Sequence, residues 1–151
     1  MEYNIIQKKP MQIMGVELRT SLQNAPTDIA PFWRDFYRDN IQEKIPNQKT
    51  GEVLGLYCEY ESDHTGPYTL VAGCEVTLVG DVPNGFVVKH LPAAKYAVFE
   101  VSGEFPHKLM EAWEWIWEGH LKRTFAGDFE VYPLGFHPND NPDLLLYIAI
   151  D

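Results

Sequence analysis

The chain has 151 residues, a formal net charge of -10, 45% hydrophobic residues and 23% charged residues. That length suffices for one well-buried core, and the balance excludes wholesale disorder. The negative charge opposes direct nucleic-acid binding, which needs clustered Lys and Arg, and favours cationic ligands or basic protein surfaces.

The opening MEYNIIQKKP lacks the apolar run of a secretory signal. No stretch approaches the ~20 apolar residues of a membrane span, so the expected location is the cytoplasm, without a membrane partner. Cys58 and Cys74 are too few for a disulfide framework, and both sit in apolar strand-like runs as inert thiols.

Residues 11–20, MQIMGVELRT, read as a strand with Met14, Val16 and Leu18 on one face. Residues 26–45 read as a helix, with Thr27 as N-cap and Pro31 in or just past the tolerant first turn. Ile29, Trp33, Phe36 and Asn40 share one face of it. EVLGLYCEYE (52–61) and YTLVAGCEVT (68–77) read as strands joined by the turn SDHTGP, and GDVPNG (80–85) as a linker.

The same order then recurs. LPAAKYAVFEVSG (91–103) reads as a strand, and 105–124 as a helix opened by Pro106, with Leu109, Trp113, Ile116, Trp117 and His120 on one side. DFEVYPLGF (128–136) and LLLYIAI (144–150) read as strands separated by HPNDNP. KPMQIMGVEL near residue 10 also echoes LPAAKYAVFE near residue 92.

The fold class is therefore α+β: a tandem β-α-β-β duplication within a single domain, 1–151, with pseudo-repeats at about 1–79 and 86–151. The expected architecture is an antiparallel sheet of about six strands, both helices on one face and a ligand cleft between the halves. The last strand is apolar on both faces, so the helix-free face is expected to be screened from water, as it would be in a cleft.

One stretch carries the candidate chemistry. In AGDFEVYPLG, alternation puts Phe129 and Val131 on one face and Asp128, Glu130 and Tyr132 on the other. Phe129 and Val131 are expected beneath the helices, leaving Glu130 on the helix-free side with Tyr147 of the neighbouring strand. A carboxylate among aromatic rings suits a flat apolar cation, and burial would raise its pKa enough for acid or base work. Taken alone, a strand glutamate is more often solvated, and Tyr57, Tyr68 and the tryptophans double as ordinary packing aromatics. The five histidines show no metal-ligand spacing, and no phosphate loop or dinucleotide fingerprint is present, so neither metal nor cofactor is expected.

YAVFEVSGEF, AWEWIW, DFEVY and the terminal LYIAI, in this order, resemble the GyrI-like small-molecule-binding family. That family includes the effector-binding domains of MerR- and AraC-type multidrug regulators and small stand-alone bacterial proteins. The resemblance implies a ligand cleft with Glu130 at its base and Tyr147, Tyr57, Tyr68, Trp33 and Trp113 as its aromatics. The implied ligand is a planar aromatic small molecule, cationic or electrophilic. The leading expectation is xenobiotic binding by a stand-alone domain. A second is hydrolysis of cyclopropane-bearing DNA-alkylating compounds, with Glu130 as the catalytic carboxylate. A third is inhibition of a protein partner such as gyrase. No helix-turn-helix precedes the domain, so direct transcription control is not expected.

Overall fold

The computed structural model describes residues 1–151 and sets two helices against one face of an eight-stranded antiparallel sheet. The strands are β1 (Asn4–Lys8), β2 (Met11–Thr20), β3 (Val53–Cys58), β4 (Tyr68–Glu75), β5 (Val87–Leu91), β6 (Ala94–Val101), β7 (Asp128–Tyr132) and β8 (Leu144–Ile150). Their spatial order is β1-β6-β8-β7-β3-β4-β2-β5. The β-α-β-β duplication is visible in that order: β6-β8-β7 of the second unit mirrors β2-β4-β3 of the first, and the units join along the β3–β7 seam.

β1 and β5 are additions to the expected set. Each leads one unit and pairs with the edge of the other, β1 on β6 and β5 on β2. β1 is almost wholly exposed, so it lacks the alternation that marks a half-buried strand. Only Lys9 and Pro10 separate β1 from β2, although the two stand six places apart across the sheet. A flat sheet would part them by ~29 Å, whereas three residue steps reach ~11 Å. The sheet must therefore curl strongly, bringing its two ends toward one another.

That curl gives the molecule two cores. The helix side buries Phe36, Phe99, Leu109, Trp113, Ile116 and Leu146 together. The helix-free side encloses Ile13, Leu54, Leu56, Val71, Tyr96 and Phe129. Apolar residues on both faces of β8 follow from this, because each face borders a core. Burial raises both thiols, of Cys58 and Cys74, to about 12, which leaves them unreactive.

Both helices are shorter than their apolar spacing suggests. α1 runs from Ala25 to Arg38 with Asn24, not Thr27, at the N-cap, and Pro31 lies well inside it. Pro26 in the first turn lets the helix begin earlier than expected. Asn40, in the left-handed region at φ 51°, then separates α1 from a 3-10 turn at Ile41–Lys44. α2 runs from His107 to Trp117. Gly119, at φ 91°, turns the chain out of the helix, so His120 is not on its buried side. Instead His120 is exposed and stacks on Trp115 with centroids 4.3 Å apart. Neither helix is long and apolar enough to cross a membrane.

Candidate functional site

The seam between the units sets the site. β3 and β7 pair so that Val53, Gly55 and Tyr57 stand opposite Tyr132, Glu130 and Asp128. These residues share one face by strand alternation, and that face lies under the helices. Glu130 is 1% exposed at the base of a cavity of about 950 Å³ that runs between α1 and α2. Trp33 and Tyr37 wall it from α1, Leu109, Trp113 and Trp117 from α2, and Tyr57, Tyr60, Tyr68 and Tyr132 from the sheet side. A shallower hollow of about 390 Å³, which includes Gln12, Lys49, Glu75 and His90, has no Phe, Tyr or Trp in its wall.

Three neutral donors converge on the carboxylate. Tyr57 Oη and Trp113 Nε1 donate to Glu130 Oε2 at 3.0 and 2.9 Å, and Tyr132 Oη donates to Oε1 at 2.6 Å. No Lys, Arg or His forms an ion pair with Glu130. Desolvation raises its pKa above the ordinary carboxylate value, and the three hydrogen bonds oppose that rise. Burial and the Glu130 charge push the Tyr57 and Tyr132 phenols well up, so both stay protonated as donors. Tyr68 is pushed up to about 12 mainly by burial.

Gly55 gives the rings and the carboxylate their room. A Cβ there would lie 3.0 Å from Trp33 Cζ2 and 3.1 Å from Glu130 Oε1. A side chain there would have to push Trp33 or Glu130 aside by a few tenths of an ångström, so the close approach of α1 to the seam favours glycine.

Of the residues singled out in the sequence, Glu130, Tyr57, Tyr68, Trp33 and Trp113 come together around this cavity. Tyr147 does not. β8 pairs with β7 so that Tyr147 faces Phe129 and Leu146 faces Glu130. Tyr147 therefore stacks on Phe129 across the sheet, with centroids 4.5 Å apart. The faces are the reverse of the expectation: Glu130 points to the helices, and Phe129 and Val131 pack on the helix-free side. Alternation separated the faces correctly, but the assumption that apolar residues lie beneath helices fails where the curled sheet makes a second core. Glu59 is engaged by Lys89 and Thr69, and Glu59, Glu75 and Glu100 all lie outside the cavity wall.

The sequence reading missed Tyr132, Tyr60, Gly55 and Arg123. Tyr132 was signalled by its place two residues from Glu130, and Gly55 by a glycine inside an otherwise apolar strand. The expected strand 52–61 and helix 105–124 contain Tyr60 and Arg123, but β3 ends at Cys58 and α2 at Trp117, so both residues lie beyond those elements, where periodicity does not place a side chain.

This fold, with its cavity between two helices over a duplicated sheet, defines a GyrI-like effector-binding protein. The chain belongs to the Cass2 family, described as integron-associated effector binding protein, which it matches over residues 4–150. It is 28% identical over 143 residues to the putative transcriptional regulator protein YobU of Bacillus subtilis, covering 90% of this chain and 89% of that one. It is 31% identical to the transcriptional regulator BrlR of Pseudomonas aeruginosa, where the match spans 99% of this chain but only 56% of BrlR. Among solved structures, the Vibrio cholerae integron cassette protein VCH_CASS2 is 28% identical, with a TM-score of 0.77 and coverage of 99% and 95% of the two chains. SAV2435, solved bound to tetraphenylphosphonium, shares the fold at a TM-score of 0.85 with 21% identity, covering 100% of this chain and 94% of that one.

Proposed function

We propose that the cavity between α1 and α2 binds bulky aromatic cations, with Glu130 as the fixed counter-charge and Trp33, Trp113, Tyr57 and Tyr68 as the enclosing rings. The observation that carries this reading is a carboxylate 1% exposed, held by three neutral donors and paired with no basic side chain. Such a charge is costly unless a cation reaches it, and ring faces add cation–π attraction to the same ligand. The net charge of -10 draws cations toward the molecule as a whole. Because its lone pairs are engaged by three donors, the carboxylate suits a fixed counter-charge better than a base that must collect a proton. SAV2435 supplies the natural probe. Calorimetric titration with tetraphenylphosphonium and with tetraphenylborate, nearly the same shape with opposite charge, is expected to give saturable binding of the cation alone. Equal binding of the two ions would overturn the reading.

A further inference from the structure

We propose that the Tyr68 hydroxyl is a free polar contact in this cavity and accepts an N–H from the bound molecule, so that the effector is an aromatic cation carrying an amino group. The inference rests on the cavity reading above and deepens it.

Four tyrosines wall the cavity from the sheet side, and three have hydroxyls already committed. Tyr57 and Tyr132 donate to Glu130, and Tyr60 donates to Asp128. Tyr68 is the exception. In the β3–β4 register Leu70 stands opposite Tyr57, so Tyr68, two residues earlier, shares the face that carries Tyr57 and Glu130. Its ring lies beside those of Tyr57 and Tyr60, with centroids 5.7 and 5.9 Å away. Tyr57 reaches Glu130, and Tyr68 stands one ring further along the wall.

The Tyr68 hydroxyl makes no hydrogen bond within the protein, and it is not sealed. The buried polar side-chain atoms that lack both a partner and open surface are Gln12 Oε1, Asp35 Oδ1, and Arg123 Nε and Nη1. Tyr68 Oη is not one of them. The residue is only 7% exposed and its ring forms part of the cavity wall, so the surface its hydroxyl keeps opens into the cavity. Buried polar groups in a folded protein find partners with few exceptions, and here a bound molecule can supply one.

Charge decides which partner fits. A phenol both donates and accepts. Burial, together with the Glu130 and Asp28 carboxylates, pushes the Tyr68 phenol up to about 12, so it stays neutral. Thr20, opposite Tyr68 on β2, donates to Asp28 Oδ2 at 3.0 Å and holds that carboxylate near the start of β4. Such negative surroundings favour the positive end of a ligand dipole at Oη, an N–H, over the negative end of a carbonyl. The cationic centre balances Glu130, so the amino group need only be a neutral donor.

The test is isothermal titration with two triphenylphosphonium probes, whose fourth ring carries a 4-amino group in one and a 4-methyl group in the other. The two substituents are of nearly equal size. The quantity read is the ratio of the two affinities, compared between wild type and Tyr68→Phe. That substitution keeps the ring and breaks no hydrogen bond in the protein, and the comparison cancels the probes' own differences in hydration. The amino-to-methyl ratio is expected to be about fivefold higher in the wild type, the worth of one neutral hydrogen bond. A 4-acetyl probe, set against the methyl probe in the same way, is expected to show no such dependence on Tyr68. An unchanged amino-to-methyl ratio, with both probes weakened by Glu130→Gln, would overturn the role of Tyr68 alone. A Tyr68-dependent advantage for acetyl as large as that for amino would overturn the choice of an N–H. If neither probe binds, or both bind Glu130→Gln undiminished, the cavity reading falls and this inference with it.

Discussion

Replacing Glu130 with glutamine isolates the charge while keeping the shape. Tyr57 and Trp113 both donate to one carboxylate oxygen, Oε2, and Tyr132 donates to the other. A glutamine with its oxygen at the Oε2 position still accepts the first two bonds. Its amide nitrogen then donates to Tyr132, whose hydroxyl reverses its role. The fold is therefore expected to survive, and only the charge is lost. A bulky aromatic cation brings its charge centre no nearer than ~5 Å to the carboxylate, and at an effective dielectric of about 20 that attraction is worth about 3 kcal/mol. Allowing for the residual amide dipole, affinity for tetraphenylphosphonium is expected to fall about 100-fold. Titration followed by quenching of tryptophan fluorescence reads the loss, since Trp33, Trp113 and Trp117 all wall the cavity. A folded Glu130→Gln protein that binds the cation as tightly as the wild type would refute the counter-charge argument.

Other expectations follow from the same geometry. Burial raises the Glu130 carboxyl above its ordinary 4.5. The folded protein thus keeps that proton to higher pH than the unfolded chain, and the stability tied to it is lost as pH rises through the folded pKa. Thermal midpoints of Glu130→Gln are therefore expected to gain on those of the wild type as pH is raised from 4.5; a constant difference would contradict this. Cation affinity runs the other way, falling in the wild type as acid neutralises Glu130 and staying flat in Glu130→Gln. Tyr57→Phe removes a donor that lowers this pKa, so the acid loss of affinity is expected to begin at higher pH. Gly55→Ala sets a methyl 3.0 Å from Trp33 and is expected to cost about 1–3 kcal/mol in denaturant unfolding, with weaker cation binding. Tyr147→Phe, across the sheet, is expected to leave cation affinity within twofold, and a larger change would contradict the β7–β8 register.

Much of the architecture was legible in the sequence because the elements that build it bury a periodic face. β8 emerged with its boundaries intact, and both helices emerged from their aromatic spacing. Their far ends did not, because apolar spacing continues past Asn40 and Gly119, whose backbone conformations, not their neighbours' hydrophobicity, end the helices. β1 and β5 escaped notice because edge strands owe their conformation to a partner far along the chain. At the site, alternation separated Glu130 from Phe129, but it is symmetrical and does not say which face meets the helices. Register decided against Tyr147, since a one-residue shift of β8 would have brought it to Glu130. Arg123 and Tyr60 converge on Asp128 only through the folded chain.

The most direct measurement is a crystal structure of the protein grown with tetraphenylphosphonium. The account predicts the phosphorus between α1 and α2, within ~6 Å of the Glu130 carboxylate and with phenyl rings against Trp33 and Trp113. A cation found instead on the exposed acidic surface, with the space above Glu130 unfilled, would contradict it.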